Sequence, residues 1–305
     1  MAMDTQQMEM ETSIIILNWN GAEMLHRYLP SVIANTPVQD CEIIVADNGS
    51  TDNSLQVLAK EFPTVRTIVL DKNYGFAEGY NRAIEQVSSK YVVLLNSDVE
   101  TTGEWLQPLV KYLNSHTDTA AVQPKVRSWN KKDYFEHAGA AGGYLDALGY
   151  PYCRGRRFGR VEKDKGQYDT VAQIDWTTGA CMCVRTDVYK ETGGLDPTFF
   201  AHMEEIDLCW RLRNKGWKLA CVPQSIVFHL GGGALNYGNP RKTYLNFRNN
   251  LLMIYKNSPH RIPVLCIRFF LDNTAAVFMA LTGKWKSAKA VWQARRDYRK
   301  MRKNY

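Results

Sequence analysis

The sequence of 305 residues lacks the cysteine pairs, the leader and the glycine loop that mark several common protein classes. Its seven cysteines include no CxxC pair, which argues against zinc and disulfides and favours a reducing cytosol. Residues 1–11 lack a cationic start followed by an apolar core, so we expect a disordered leader there and not a targeting signal. The glycines after the first predicted strand form neither a GxGxxG nor a Walker loop, so phosphate held at that point would need a metal ion.

Most of the chain also lacks net charge. The formal charge is +7, but residues 284–305 carry nine cations and one acid, a net +8 that leaves −1 for the other 283 residues. A near-neutral body argues against nucleic-acid binding, and the basic tail suits contact with an anionic surface. With 45 % hydrophobic and 23 % charged residues, the composition is that of an ordinary folded protein.

What the sequence does contain is a regular alternation of strand and helix patterns. Apolar, mostly β-branched runs predict four buried strands, at 13–17, 42–46, 67–70 and 91–95. The short connections between them imply right-handed βαβ units and a mainly parallel sheet. Since parallel strands end at one edge of a sheet, we expect the polar loops at 18–20, 47–52 and 96–98 to converge there.

The loop at 96–98 carries the first candidate site. Its strand delivers Asn96 and Asp98 at the carboxyl end, where a carboxylate is well placed to hold a divalent cation against a diphosphate. Taken alone, the stretch favours an ordinary turn, because Asn, Ser and Asp are common turn residues. The two neighbouring polar loops favour the binding site.

A second cluster of acidic residues opens a predicted helix at Glu204, Glu205 and Asp207. Acids favour a helix N-terminus on electrostatic grounds alone, and the functional alternative is a general base that faces the sheet edge. Two short strands are predicted next, at 217–223 and 225–229. The second ends in His229, for which a structural role and metal ligation are both open.

Two further regions are predicted from composition. Residues 127–170 are rich in Gly, Arg, Lys and Tyr, which indicates a long loop region, either an acceptor-side lid or a plain surface loop. Residues 262–283 are apolar and long enough to span a bilayer, but Arg268 and Asp272 near the middle would be costly there. We expect an amphipathic helix that packs on the domain or lies in a membrane interface, followed by a basic, aromatic tail suited to anionic lipid or to solvent.

Four of the polar motifs, taken in order, resemble those of family 2 inverting glycosyltransferases of the GT-A fold, and are closest to the bacterial rhamnosyltransferase-like branch. The motifs are Asn18-Trp19-Asn20-Gly21 and the segments 46–52 (ADNGSTD), 73–81 (NYGFAEGYN) and 94–98 (LLNSD). The resemblance implies an α/β, Rossmann-like GT-A domain over 12–250, with a mainly parallel sheet flanked by helices. A helical basic region over 251–305 would follow as an appendage.

The resemblance also implies roles for individual residues. The nucleotide-sugar site would comprise Asn18, Trp19, Asn20, Asp47, Asn48, Asn73, Gly75, Gly79, Asn96, Ser97 and Arg248. Within it, Asp47 would accept a hydrogen bond from a pyrimidine ring, and Arg248 would contact the diphosphate. Trp176, Thr178 and Gly179 would line the acceptor or sugar pocket, although Trp176 judged without the resemblance is a core residue.

The same resemblance implies the metal site and the catalytic group. Mg²⁺ or Mn²⁺ would be held by Asp98 and His229, with Asn96 in place of the first aspartate of the family's DxD motif, so that one anionic ligand becomes a neutral amide. Glu205 would be the general base, with Glu204 and Asp207 orienting it. The choice between Glu204 and Glu205 stays open at this point.

The function expected from these features is inverting transfer of a sugar from a UDP- or dTDP-linked donor to a cell-surface glycan or a lipid-linked precursor. The enzyme would be cytoplasmic and peripheral on the inner face of the membrane, through residues 262–305. Two alternatives are a non-catalytic sugar-nucleotide or membrane-binding subunit, prompted by Asn96 and Glu205, and a nucleotidyltransferase. The second lacks the Gly-rich N-terminal segment with Arg and Lys that its class requires.

Overall fold

A mixed β-sheet runs through the chain, whose computed structural model describes residues 10–37, 39–157, 159–231 and 239–305. Most of the leader expected over residues 1–11 lies outside the described residues. The strands are β1 Thr12–Asn18, β2 Cys41–Asn48, β3 Arg66–Leu70, β4 Tyr91–Asn96, β5 Val99–Thr101, β6 Thr119–Ser128, β7 Gly143–Leu145, β8 Pro151–Cys153, β9 Arg156–Arg157, β10 Arg160–Val161, β11 Ala172–Gln173, β12 Cys181–Arg185 and β13 Lys218–His229.

Helices cover both faces of this sheet and form the C-terminal end of the chain. They are α1 Ala22–Asn35, α2 Ser54–Glu61, α3 Gly75–Ile84, α4 Gln107–Ser115, α5 Thr186–Glu191, α6 Glu204–Asn214, α7 Pro240–Asn257, α8 Arg261–Leu281 and α9 Trp285–Met301. Short 3₁₀ turns occupy Pro197–Phe199 and Arg302–Asn304.

The main sheet follows the order β11-β13-β6-β12-β4-β1-β2-β3, with β5 paired to β13. β1 pairs in parallel with β2 and β4, and β2 with β3, while β12 runs antiparallel between β4 and β6. Ile15 and Ile16 pack on opposite faces, so the central strands are buried on both sides, as their unbroken apolar runs require. The predicted mainly parallel sheet, flanked by helices and followed by a helical C-terminal region, is confirmed.

The structure corrects the prediction of two short strands near the end of the sheet. β13 is one strand, and its pairing with β6 shifts register between Val222 and Ile226. Pro223 lies inside the shift and has no N–H to donate to a ladder. The prediction failed because a proline within a strand produces a local irregularity here and does not end the strand.

The segment 127–170 is not a loose surface loop in its described part. Phe135, Ala140 and Cys153 belong to the main hydrophobic core, and four short strands form two hairpin ladders, β7 with β8 and β9 with β10. The ammonium of Lys125, itself buried, pairs with Asp164 over 3.0 Å beneath the segment. Packing and this ion pair therefore hold the segment on the domain.

The C-terminal helices pack on α7, which begins before the expected domain boundary at residue 250 and ends after it. The two charged residues near the middle of α8, Arg268 and Asp272, are buried against the rest of the protein. The carboxylate of Asp272, fully buried, accepts hydrogen bonds from Arg268 Nε over 3.1 Å and from Arg295 Nη1 of α9 over 2.8 Å. Arg268 also donates to the carbonyl of Leu148 and to the side chain of Asn250, so its buried guanidinium is both paired with an anion and hydrogen-bonded. We propose that the appendage begins after α7.

We predict that Asp272→Ala destabilises the protein by about 3–5 kcal/mol, because it leaves two buried guanidinium groups without their anion. Urea unfolding followed by circular dichroism measures the change. Glu23→Ala, which removes the exposed partner of Arg27, is the control and should change the free energy of unfolding by at most about 0.5 kcal/mol. Equal effects of the two substitutions would contradict a buried ion network under α8.

Candidate functional site

The carboxyl ends of β1 and β2 meet in register, and their polar residues hold each other. Asn18 pairs with Asp47 in the parallel ladder, and its Nδ2 donates to Asp47 Oδ1 over 3.0 Å. The other oxygen, Asp47 Oδ2, accepts the backbone N–H of Ser50 over 3.0 Å. Asp47 is buried, with 1 % of its surface exposed, so it shapes the floor of the loop, and its direct contact with a base ring stays a prediction.

The loop after β1 is locked against the loop after β2. Asn20, in the left-handed region with φ of 50°, accepts the N–H of Thr51 at its side-chain oxygen over 2.7 Å. Asp52 accepts the N–H of Ala22 over 3.1 Å and that of Ser54 over 3.0 Å, and so caps the first turns of both α1 and α2. Trp19 projects from this locked pair with 56 % of its surface exposed and offers a ring face at the rim.

Asn48 connects these loops to the start of α3. Its Nδ2 donates to the carbonyl of Gly75 over 3.0 Å and to Asn73 Oδ1 over 3.2 Å, and its Oδ1 accepts the N–H of Tyr74 over 2.9 Å. Gly75 has a φ of +81°, which disfavours any residue with a side chain. A Cβ on Gly79 would lie 2.9 Å from Leu17, so this glycine permits α3 to approach β1 closely.

The strand β12 brings a second part of the chain to the same edge. The N–H of Asn96 donates to the carbonyl of Ala180 over 3.0 Å, which places Gly179 beside the turn that contains Ser97. A Cβ on Gly179 would lie 3.7 Å from the carboxyl carbon of Glu205. The general-base candidate therefore lies across a glycine from the end of β4.

Asp98 and His229 form a pair, as the metal prediction requires. His229 Nε2 lies 3.1 Å from Asp98 Oδ1, and the other ring nitrogen faces Glu136 Oε1 at 3.9 Å. Burial alone would lower the pKa of His229, but the hydrogen bond to Asp98 and the charges of both carboxylates raise it to about 10. Burial would raise the pKa of Asp98, and the bond and charge of His229 outweigh this effect and lower it.

Two donors 3.1 Å apart suit one octahedral cation, whose neighbouring ligands are separated by about 3 Å. Glu136 lies behind the ring, where a carboxylate commonly accompanies a ligating imidazole, but at 3.9 Å it acts through its charge and not through a hydrogen bond. Across the described parts of the chain, no group of three or more His, Cys, Asp or Glu side chains is arranged to hold a metal. An ion held by Asp98 and His229 would take the rest of its ligands from substrate phosphates and water, as Mg²⁺ commonly does.

The two glutamates at the start of α6 differ in environment. Glu204 is buried, and its pKa is raised well above the ordinary value by burial and by the charge of Glu205. Glu205 is partly accessible, and burial of its carboxyl raises its pKa to about 7. Among the described residues, one oxygen of each side chain, Oε2, has no hydrogen-bond partner. Glu205 is the more accessible of the two carboxyl groups, so it is the better placed base.

Asp207 does not join this pair. It is fully buried, and its oxygens accept from Arg211 over 2.8 Å, Lys256 over 2.9 Å and Asn257 over 2.8 Å. The bonds to Lys256 and Asn257 attach α6 to α7. Asp207 therefore serves the packing of α6, and its role in orienting the base stays a prediction.

The turn before α6 is strained, and the side chain of Asn249 bonds to three of its carbonyls. Phe200, His202 and Met203 all have positive φ values, between 64° and 74°. Asn249 Nδ2 lies within hydrogen-bond distance of the carbonyls of Phe199, Ala201 and His202, at 3.0, 2.9 and 2.7 Å. Because three carbonyls converge on one amide, Asn249 sets the path by which the chain enters α6.

Arg248 contributes to the same turn, and its contact with a diphosphate stays a prediction. Its Nη2 donates to the carbonyls of Thr198 and Phe199 over 3.2 and 2.9 Å, and its Nε donates to Asn249 Oδ1 over 2.8 Å. Trp176 is likewise a core residue in this structure, 4 % exposed, with its indole N–H donated to the carbonyl of Tyr144 over 2.9 Å. We therefore leave both residues out of the proposed ligand contacts.

A sequence model described as "Glycosyl transferase family 2" matches residues 13–191, more than half of the chain. The chain belongs to this family. Among relatives, it is 24 % identical over 230 residues to the N-acetylglucosaminyl-diphospho-decaprenol L-rhamnosyltransferase of Mycobacterium tuberculosis, covering 71 % of this chain and 75 % of that protein. It is 27 % identical over 223 residues to the rhamnosyltransferase WbbL of Escherichia coli, covering 71 % and 82 %. The predicted family and its rhamnosyltransferase-like branch are confirmed.

Solved structures show the fold of this glycosyltransferase. GalNAc-T7, crystallised with UDP, GalNAc and Mn²⁺, superposes with a TM-score of 0.62 at 18 % identity, covering 82 % of this chain and 48 % of its own. The mannosyltransferase PcManGT from Pyrobaculum calidifontis, crystallised with GDP-Man and Mn²⁺, gives 0.57 at 14 % identity, covering 97 % and 84 %. The predicted GT-A fold is confirmed.

Sequence reasoning missed three residues that shape the glycosyltransferase site: Glu136, His202 and Asn249. Glu136 lies in the segment 127–170 and is brought to His229 only by folding. Burial, reinforced by the charge of Lys242, lowers the pKa of His202 to about 4, so this ring, three residues before Glu205 in the chain, is neutral at pH 7. Asn249 follows Arg248 inside a helix, and no local pattern marks it as the residue that holds a strained turn.

We predict that Asn249→Ala destabilises the glycosyltransferase by about 1–3 kcal/mol, because the carbonyls of Ala201 and His202 lose their side-chain donor and that of Phe199 loses one of its donors. Hydrogen exchange of residues 199–206 should accelerate more than exchange in β1 and β4, and mass spectrometry locates the difference. Asn273→Ala, on the exposed side of α8, is the matched control for amide removal from a helix. Uniform acceleration across the sheet would contradict a local role for Asn249.

Proposed function

We propose that this glycosyltransferase moves a sugar with inversion from a pyrimidine nucleotide-sugar to a glycan or lipid-linked acceptor, with a divalent cation bound. The observation that carries the proposal is that the Asp98–His229 pair and the Glu205 carboxylate both lie at the sheet edge that contains Gly179. Two groups of opposite roles, one for a leaving diphosphate and one for an attacking hydroxyl, are what direct displacement requires.

The nucleotide would lie over the locked loops after β1 and β2. Trp19 offers an exposed ring for stacking, and Asn20 fixes the backbone beneath it. Asn48 and Asn73 would hold the α3 end of this pocket in shape. GalNAc-T7 was crystallised with UDP and PcManGT with GDP-Man, so the preference for a pyrimidine base is part of the proposal.

Asp98 and His229 would hold Mg²⁺ or Mn²⁺, which supplies positive charge to the leaving diphosphate. Glu136 would keep the imidazole of His229 aimed at the site. Thr178 and Gly179 would border the sugar, since the turn after β4 lies on one side of them and Glu205 on the other. Asn96 and Ser97 complete the border as half-buried polar side chains.

In the reaction, Glu205 would take the proton of an acceptor hydroxyl while that oxygen forms a bond to the anomeric carbon. The bond from this carbon to the diphosphate oxygen breaks on the opposite face, so the configuration inverts and a nucleoside diphosphate leaves. A carboxylate with a pKa near 7 is well matched to this task at neutral pH. Burial and the charge of Glu205 raise the pKa of the neighbouring Glu204, which disfavours a second negative charge beside the base.

We further propose a cytoplasmic enzyme at the inner face of the membrane, where a lipid-linked acceptor presents its sugar. The relatives from Mycobacterium tuberculosis and Escherichia coli are named as rhamnosyltransferases, and the first acts on a diphospho-decaprenol carrier. This similarity supports a glycan-building role for the present chain.

We predict that UDP or dTDP binds in the presence of Mg²⁺ or Mn²⁺ and binds at least tenfold more weakly with EDTA, as measured by isothermal titration calorimetry. GDP is the comparison that tests the choice of base. Asp98→Asn should remove most of the metal dependence, because a neutral amide replaces the anionic ligand. Binding that is indifferent to both EDTA and Asp98→Asn would contradict the metal site.

We predict that Glu205→Gln retains nucleotide affinity and loses turnover by about 10²–10⁴-fold, because the base is absent. Glu204→Gln is the matched control, since it makes the same change in the neighbouring buried side chain, leaves Glu205 in place and should keep most of the activity. In the wild type, kcat/KM should rise with pH, pass its half-maximal value at about 7 and then level off, as Glu205 ionises.

Release of the nucleoside diphosphate from a donor measures turnover in both variants. Burial raises the pKa of Glu205 in the folded state, so ionisation costs stability as pH rises, and Glu205→Gln should unfold no more readily than the wild type at pH 8. If Glu204→Gln is inactive and Glu205→Gln is active, the base is Glu204. If the wild type binds donor and neither transfers nor hydrolyses it, the chain is a non-catalytic subunit.

A further inference from the structure

α8 has an inverted arrangement of polar and apolar residues for a surface helix. Its buried face carries Val264, Arg268, Asp272, Ala276 and Ala280, which repeat every four residues and include both strong charges of the helix centre. Arg268 and Asp272 find their partners in Asn250, Arg295 and Tyr150, all within the domain or on α9. The helix is therefore attached to the protein through its polar side.

The opposite side of α8 is apolar and exposed. Ile267, Phe270, Val277, Phe278 and Leu281 point away from the charged residues, and Phe270 and Leu281 have 69 % and 82 % of their surface exposed. Among the described helices, α8 alone is long and apolar enough to cross a bilayer by length and composition. A contiguous apolar stripe of this size on a protein surface marks a contact with another apolar phase or molecule.

Cations border this stripe at its C-terminal end. α9 follows α8 after a three-residue connection, and Lys284, Lys286, Lys289 and Arg296 are exposed along it, together with Trp285 and Trp292. The acid of α9, Asp297, is half-buried and accepts the hydroxyl of Tyr244 over 3.0 Å. The surface beside the apolar stripe is thus positive and aromatic, the composition of interfacial membrane anchors.

We propose that the outward face of α8, with the exposed cations and tryptophans of α9, is a docking surface for an anionic lipid bilayer. The helix would lie in the plane of the interface, with its apolar face among the acyl chains and the lysines among the headgroups. The proposal deepens the membrane location given under the proposed function and does not depend on the chemistry at Glu205.

Two other occupants are disfavoured by the same contacts. A second copy of this chain would bring two sets of the exposed α9 cations together without added anions, which is repulsive. Crossing the bilayer would require α8 to leave the domain and carry Arg268 and Asp272 into hydrocarbon without their partners on α7 and α9. Charge complementarity with an anionic surface is the arrangement that leaves every buried ion pair intact.

The test is co-sedimentation of the full chain with vesicles of phosphatidylcholine alone or of phosphatidylcholine mixed with phosphatidylglycerol, at low and high salt. We expect the wild type to bind the mixed vesicles and to lose affinity in high salt. The double variant Phe270→Gln/Phe278→Gln should lower the partition coefficient at least tenfold, since two exposed rings no longer enter the bilayer. Lys286→Gln/Lys289→Gln should weaken binding about tenfold or more on the anionic vesicles and leave the neutral ones nearly unaffected.

Val69→Gln is the control. Val69 is an exposed apolar residue of β3, the edge strand next to β2, and lies outside the proposed docking surface, so its loss should not change vesicle binding. Nucleotide titration of each variant separates this proposal from the proposed function, since intact UDP or dTDP binding shows that the site is folded whatever the vesicles show. The proposal is overturned if the folded wild type ignores anionic vesicles or if Phe270→Gln/Phe278→Gln binds them unchanged. It is also overturned if the same double variant dissolves a dimer seen by analytical ultracentrifugation, or if alkaline carbonate fails to release the protein from membranes.

Discussion

The parallel pairing of β1 with both β2 and β4 is the constraint on which the site depends. It aligns Asn18 with Asp47 and Leu17 with Asn96, so polar residues that are about 30 and 80 positions apart in the chain reach one edge. A parallel sheet must be covered by apolar side chains on both faces, and the two hydrophobic clusters on either side of this sheet provide that cover. The loops at this edge are then stabilised by side-chain amides and carboxylates, with Asn18, Asn20, Asn48 and Asp52 each bonded to backbone or side-chain groups of a neighbouring loop.

The antiparallel strand β12 adds what a simple parallel sheet would lack. It enters beside β4 and brings Gly179 to the end of the strand that carries Asp98, and α6 then places Glu205 above that glycine. The strained turn before α6 is held by Asn249 of α7, so the base is positioned by a helix far along the chain. Strain of this kind persists only where the surroundings over-determine it. Three converging carbonyls on one amide, with Arg248 beside it, meet that condition.

The buried ionisable residues of this protein fall into two groups with different surroundings. In the C-terminal region Asp272 is matched by two guanidinium groups, and under α6 Asp207 is matched by Arg211 and Lys256, so these charges serve attachment. At the sheet edge the balance is different: His229 lies between two carboxylates, and Glu204 and Glu205 each keep one oxygen without a hydrogen-bond partner among the described residues. The carboxyl groups of Glu204 and Glu205 have raised pKa values, which is the usual mark of groups that exchange protons, whereas the bond and charge of His229 lower the pKa of Asp98.

The sequence by itself determined the sheet class, the converging loops and the family, because strand periodicity and ordered motifs are local properties of the chain. It also pointed to Glu204 and Glu205 together, but it did not separate them, since the pKa of each depends on burial that only the fold creates. The tertiary structure alone decided that Trp176 and Arg248 are packing and turn-holding residues, that Asp207 faces α7, and that Glu136 supports His229. It alone also turned Arg268 and Asp272 inward, because the side on which a helix packs depends on partners such as Asn250 and Arg295 that are distant in sequence.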